Sequence, residues 1–183
     1  MSPWRLKQIS RQLLHGAVIA YPTDTIWGLG CHPGIEQAVS RVNTVKNRPR
    51  QKSLILLSSD PNFFHGYLED PMIDRLINAD SGERPTTWIV PASPYCPSWL
   101  ASSNGTLAVR VSKRPPIKAL CDPIGSPIIS TSANLSGTPP VRNSIQAHAR
   151  FHHRIDYIIE GFKSGSQKAS QIKNLITGQV LRA

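Results

Sequence analysis

Four cations fall within seven residues at Lys46-Asn47-Arg48-Pro49-Arg50-Gln51-Lys52, with a proline restricting the backbone between them. A guanidinium offers a planar fork to phosphate oxygens and an ammonium adds a compact charge, so this spacing suits a triphosphate clamp. Phosphoryl and nucleotidyl transfer call for such charge, because negative charge is redistributed over the phosphates as the bond changes. The same run would otherwise be a solvated surface face. A second segment, Ser130-Thr131-Ser132-Ala133-Asn134-Leu135-Ser136-Gly137, gathers hydroxyls and one amide around small residues. It lets a ligand approach the backbone closely, and it holds more polar side chains than a helix cap or turn requires. The third, Tyr21-Pro22-Thr23-Asp24-Thr25-Ile26-Trp27-Gly28-Leu29-Gly30, mixes hydroxyls, a carboxylate and aromatics. Alone it also fits an ordinary strand exit, with Gly28-x-Gly30 as a tight turn. Neither G-x-x-x-x-G-K-[ST] nor G-x-G-x-x-G occurs, so any bound ATP is held without a P-loop.

Each segment follows or borders a predicted strand, and ligands in open α/β sheets gather beyond strand ends. Leu6, Ile9, Leu13 and Leu14 have helical spacing within Pro3–His15, and Gly16 stops that helix before a buried strand at Ala17–Tyr21. Further helices are expected at Ile35–Val45, Pro71–Ala79, near Pro116–Cys121 and around Ser144–Arg150. Further strands are expected at Ser53–Leu57, Thr87–Val90, Leu107–Val111, Pro127–Ser130, Ile155–Ile159 and Gln179–Leu181, with Asn47–Lys52 a loop. The irregular alternation favours an α/β domain with a mixed sheet over a pure doubly wound one. Sixteen prolines and twelve glycines are dispersed, without a linker block or repeat, so one domain over residues 1–183 is expected.

Lys and Arg number 21 against 11 Asp and Glu, a net charge of +10 that attracts polyanions without distinguishing nucleotide from nucleic acid. No run approaches the roughly 20 apolar residues of a membrane span. The N-terminal residues lack the apolar core of a signal peptide. Cys31, Cys96 and Cys121 form no C-x-x-C pair, so reduced thiols, no zinc site and a cytoplasmic location are expected. His152–His153 reads as a solvated face, and Trp4, Trp27, Trp88 and Trp99 as core or rim packing.

Taken in order, Tyr21–Gly30, Lys46–Pro49 and Ser132–Asn134 resemble the YrdC/TsaC family, the threonylcarbamoyl-AMP synthases. The family pattern is a Tyr-Pro-Thr-[Glu/Asp] strand exit ending in Gly-x-Gly, a Lys-x-Arg-Pro loop and a Ser-x-Asn turn. The likeness continues through Leu107–Val111, Ala119–Cys121, Pro139–Arg142, Ala169–Ile172, Leu175–Gly178 and Arg182, and the length is similar to the short bacterial form. Two departures stand out: Glu83-Arg84-Pro85 where the family has Pro-Gly-Pro, and Asn174 where it has Asp.

The resemblance implies a YrdC-like domain with a twisted, mixed parallel/antiparallel sheet and a concave basic cavity. It implies synthesis of threonylcarbamoyl-AMP and pyrophosphate from L-threonine, bicarbonate and ATP, for the t6A modification of tRNA position 37. Lys46, Arg48, Lys52, Thr87, Ser132, Asn134, Arg142 and Arg182 would form the ATP site. Thr23, Arg110 and Ser170 would hold L-threonine. No side chain is assigned as acid or base or as a metal ligand, Mg²⁺ is expected with ATP, and transferase proteins acting on tRNA would be the downstream partners. A non-catalytic RNA-binding or ribosome-maturation module is the competing reading, and direct RNA contact is left open. No RNA-binding motif or aromatic-interleaved basic stretch supports that module.

Overall fold

The computed structural model describes residues 1–47, 54–79, 84–165 and 168–183. Helix α1 (Pro3–Leu13) starts where Ser2 accepts a hydrogen bond from the Arg5 N–H and Pro3 fills the first turn, where no N–H partner is needed. It ends short of the expected His15, because Gly16 and Ala17 N–H groups cap Leu13 and Gln12 carbonyls. The remaining helices are α2 (Glu36–Val45), α3 (Asp70–Ile77), α4 (Pro115–Cys121) and α5 (Ser144–Phe151), the last capped by Asn143. No helix among the described residues is long and apolar enough to cross a membrane.

The strands are β1 (Ile19–Tyr21), β2 (Gly28–Gly30), β3 (Ile55–Ser58), β4 (Thr86–Pro91), β5 (Thr106–Val111), β6 (Ile128–Ser132), β7 (Tyr157–Ile158), β8 (Gln171–Asn174) and β9 (Val180–Arg182). They form one sheet in the order β7-β1-β2-β6-β3-β5-β4-β8-β9. The pairs β7/β1, β3/β5 and β4/β8 are parallel and the rest antiparallel, the expected mixed sheet.

Two of these strands, β2 and β8, were not expected. The Gly-x-Gly reads as a turn, yet Gly28 and Leu29 pair with Ser132 and Thr131. Its glycines serve close packing: a Cβ on Gly30 would stand 2.1 Å from the Ile129 carbonyl oxygen. The sequence Gln-Ile-Lys-Asn of β8 has too short an alternation to be legible. The expected strand at Ile155–Ile159 shrinks to two residues and the last strand shifts by one.

Alternation along the strands decides where the site lies. Leu56, Trp88, Val90, Leu107, Val109 and Ile129 join the core under α2, α3 and α5. On the other face, Leu57, Ile128, Ile19 and Tyr21 pack beneath α1 and α4. Beyond those two helices the second face continues with Ile55, Thr87, Ile89, Ala108, Arg110, Ser130 and Ile172, which line an open cavity instead of a helix interface. Trp27 and Trp88 are core residues, whereas Trp4 is largely exposed, contrary to its expected packing role.

Candidate active site

The cavity is about 460 Å³ and is floored by the sheet. Ile55, Ile89, Ala108 and Ile172 make its apolar part, while Thr25, Thr87, Arg110, Ser130, Thr131, Ser132, Ser170 and Arg182 supply donors and acceptors. Such a lining, mostly apolar with a few convergent polar groups, suits a small-molecule ligand.

Arg110 on β5 is 3% exposed, an unusual place for a cation. Its Nη1 donates to Thr25 Oγ1 at 3.3 Å, and its Nη2 lies 3.4 Å from Asp24 Oδ1. Arg110 Nε and Asp24 Oδ1 have no hydrogen-bond partner among the described residues. A buried guanidinium with spare donors at a cavity wall is set up to receive an anion.

Thr87 and Ser170 share a hydrogen bond of 2.8 Å between their hydroxyls, so residues separately expected in the ATP and L-threonine sites meet at one point. Arg182 folds back from β9, with Nη2 donating to the Ser170 carbonyl at 2.7 Å. Thr87, Ser132, Arg110, Ser170 and Arg182 therefore converge on the one cavity.

Other expected ligands stand elsewhere. Thr23 is fully buried; its hydroxyl donates to the Ile26 carbonyl and accepts from the Thr25 N–H, so Thr25 is the threonine that faces the cavity. Sequence spacing could not choose between them, because side-chain direction within a loop follows no fixed period. Lys46, 3% exposed, donates to the Ser132 carbonyl, and to the Asn134 carbonyl and Oδ1 at 2.9 and 3.0 Å. Asn134 also accepts from Ser132 Oγ and donates to the Leu135 and Thr138 carbonyls. Lys46 and Asn134 thus hold the turn that presents Ser132. Arg142 lies in a neighbouring recess of about 100 Å³ with Pro139, Pro140 and Ser164, sharing Ile26 and Trp27 with the main cavity. Arg48 and Lys52 lie outside the described residues.

Main-chain bonds lock these pieces together. Ala133 N–H donates to the Trp27 carbonyl, and Ser136 N–H to the Lys46 carbonyl. The strand-exit loop is held from outside by Gly165, whose N–H donates to the Thr23 carbonyl and whose Cβ, if present, would stand 1.8 Å from the Asp24 carbonyl oxygen. Tyr21 is wholly buried with its hydroxyl on the Ile129 carbonyl, and burial pushes its pKa up, so it stays neutral.

One of the two departures from the family pattern has a local explanation. Asn174 Oδ1 accepts from the Ile176 and Thr177 N–H groups, an Asx turn joining β8 to β9 that Asn makes as well as Asp. It does not line the cavity. Near the other departure, Thr86 Oγ1 donates to the Arg84 carbonyl and Thr87 still reaches the cavity; Glu83 lies outside the described residues. Among the described residues, no group of three or more His, Cys, Asp or Glu side chains could hold a metal ion.

A family model described as Sua5_yciO_yrdC, Telomere recombination, matches residues 11–183. A threonylcarbamoyl-AMP synthase of Pseudomonas entomophila (strain L48) is 40% identical over 185 residues, spanning 100% of this chain and 98% of that protein. The protein of the same name from Pseudomonas savastanoi pv. phaseolicola is 40% identical over 186 residues, spanning 100% and 99%. Among solved structures, P. abyssi Sua5 complexed with L-threonine superposes with a TM-score of 0.84 at 25% identity, covering 95% of this chain and 52% of that one. This chain thus spans about half the length of that protein. E. coli YciO shares the fold, with a TM-score of 0.79 at 23% identity, covering 99% and 89%. With model and relatives matching nearly end to end, the chain belongs to the Sua5/YciO/YrdC family.

Proposed function

We propose that this protein is an L-threonylcarbamoyladenylate synthase, a nucleotidyltransferase that joins L-threonine, bicarbonate and ATP for the t6A modification of tRNA. The observation that carries the reading is Arg110, a buried guanidinium with spare donors in a hydroxyl-lined cavity. Its chain is 40% identical, end to end, to proteins named threonylcarbamoyl-AMP synthase.

L-Threonine and bicarbonate give N-carboxy-threonine and water, and the carbamate oxygen then attacks the α-phosphorus of ATP. One P–O bond forms, the bond to the bridging oxygen breaks, and pyrophosphate leaves. The nucleophile is already anionic, so no general base is required. The site must instead hold two anions together and offset charge on the leaving group. Arg110 would take the threonine carboxylate, with Thr25 and Ser170 beside it. Thr87, Ser132, Arg142 and Arg182 would face the nucleotide, and Arg48 and Lys52 its phosphates. Mg²⁺ would be carried by ATP itself and would offset charge on its phosphates, as hard cations commonly do. Transferase proteins would take up the product in the cytoplasm.

The test is pyrophosphate release that requires both L-threonine and bicarbonate. Arg110→Ala should raise the L-threonine KM by about 10- to 100-fold, the worth of a charge-assisted hydrogen bond. Release indifferent to threonine, together with RNA binding that falls steeply with salt, would establish the binding-module reading instead.

A further inference from the structure

Asp24 has no place in the chemistry above, yet it is the ion-pair partner of Arg110 among the described residues. The two side chains are 13% and 4% exposed, and Nη2 and Oδ1 stand 3.4 Å apart. That distance lies within ion-pair range, but each partner keeps an atom without a hydrogen bond among the described residues. Arg110 lines the cavity and Asp24 does not, so Asp24 can act on a ligand only through its field and through the aim of the guanidinium.

Charges so far from solvent are weakly screened. A solitary buried guanidinium would favour any carboxylate. An arginine backed by an aspartate instead presents a dipole with no net charge, positive end toward the cavity. An α-amino acid complements it, because its ammonium and carboxylate are themselves an adjacent pair of opposite charges. A plain carboxylate of the same shape gains the guanidinium but meets the field of Asp24 with nothing to offset it. We infer that Asp24 is a specificity-determining residue at the first binding step, before carboxylation removes the ammonium, and that it acts through Arg110 to favour zwitterionic amino acids over amino-free hydroxy acids. This inference rests on the reading that the carboxylate of L-threonine docks on Arg110.

The probe is 3-hydroxybutyrate, which keeps the carboxylate and hydroxyl of threonine and lacks its ammonium. Binding of both ligands to the intact protein is measured by calorimetry for the parent, Asp24→Asn, Asp24→Ser, Asp24→Glu and Arg110→Ala. The parent should prefer L-threonine. Both neutral variants should narrow that preference by about tenfold, the effect of one weakly screened charge, and Asp24→Glu should keep it. A merely structural aspartate would weaken both ligands alike. A ratio unchanged in a folded neutral variant, or a parent that binds both ligands equally, therefore overturns the inference. L-Threonine binding unaffected in Arg110→Ala would sink the underlying docking reading instead.

Discussion

The ammonium of Lys46 ends among three oxygens of the Ser132–Asn134 turn, two main-chain carbonyls and the Asn134 Oδ1, so this lysine of the basic run directs its charge at a neighbouring turn. Methionine has nearly the same length and no donor. Lys46→Met should therefore lower the unfolding free energy by about 2–3 kcal/mol, the cost of leaving buried acceptors unpaired, and should depress turnover as Ser132 loses its support. A denaturant midpoint equal to the parent's would contradict this positioning role. The types of Lys46, Thr23 and Asn134 were legible in the sequence. Their directions were not: whether Lys46 turns to a ligand or to a neighbouring turn depends on contacts 86 residues away.

Between the elements, the approach of the Gly165 segment to the strand-exit loop is too close for any side chain. Gly165→Ala must push that segment off Asp24. Overpacking of this kind costs roughly 1–3 kcal/mol. Ala169 and Ser170 of the same stretch line the cavity, so the L-threonine KM should rise as well. Steady-state kinetics check this: a parent-like KM would mean that the segment does not support the site. The long periodic helices and apolar strands were readable because burial on one face sets their pattern. Strand β2 was not, since its glycines are chosen for the backbone of β6 rather than for a face. Strand β8 was missed because four residues of mixed polarity carry little periodicity.

At the scale of the whole molecule, Asp156 ties distant parts together. Its carboxylate accepts from the Val18 N–H at 2.7 Å and from both Arg41 terminal nitrogens at 2.7 and 3.0 Å, joining α2 to the edge of the sheet. Burial pushes the Asp156 pKa up, but the Arg41 and Val18 hydrogen bonds pull it down further, leaving it below the ordinary value. A depressed folded-state pKa means stabilisation present above the unfolded-state pKa and lost as pH falls through the lower, folded value. Arg41→Ala should cost about 1 kcal/mol near neutral pH, a modest figure because the two side chains are 43% and 34% exposed. The gap to the parent should close as pH falls through the lowered folded-state pKa of Asp156. Urea midpoints across that range check the sign, and a gap constant with pH would remove the clamp from the account. Fold class was readable from element order and composition; this long-range tie was not, because nothing in the sequence links Arg41 to a residue 115 positions away.

Strand β9 is at once the last strand of the sheet and part of the cavity wall, with Leu181 and Arg182 lining it and Val180 and Leu181 about half exposed. An affinity handle or fusion partner joined behind β9 would emerge beside the cavity wall, where it would crowd the space open to a ligand. One joined before Met1, whose nitrogen lies near Gly161, enters beside α1 instead. The choice of terminus for tethering this protein to a surface or a reporter is thus a choice about whether its site stays open.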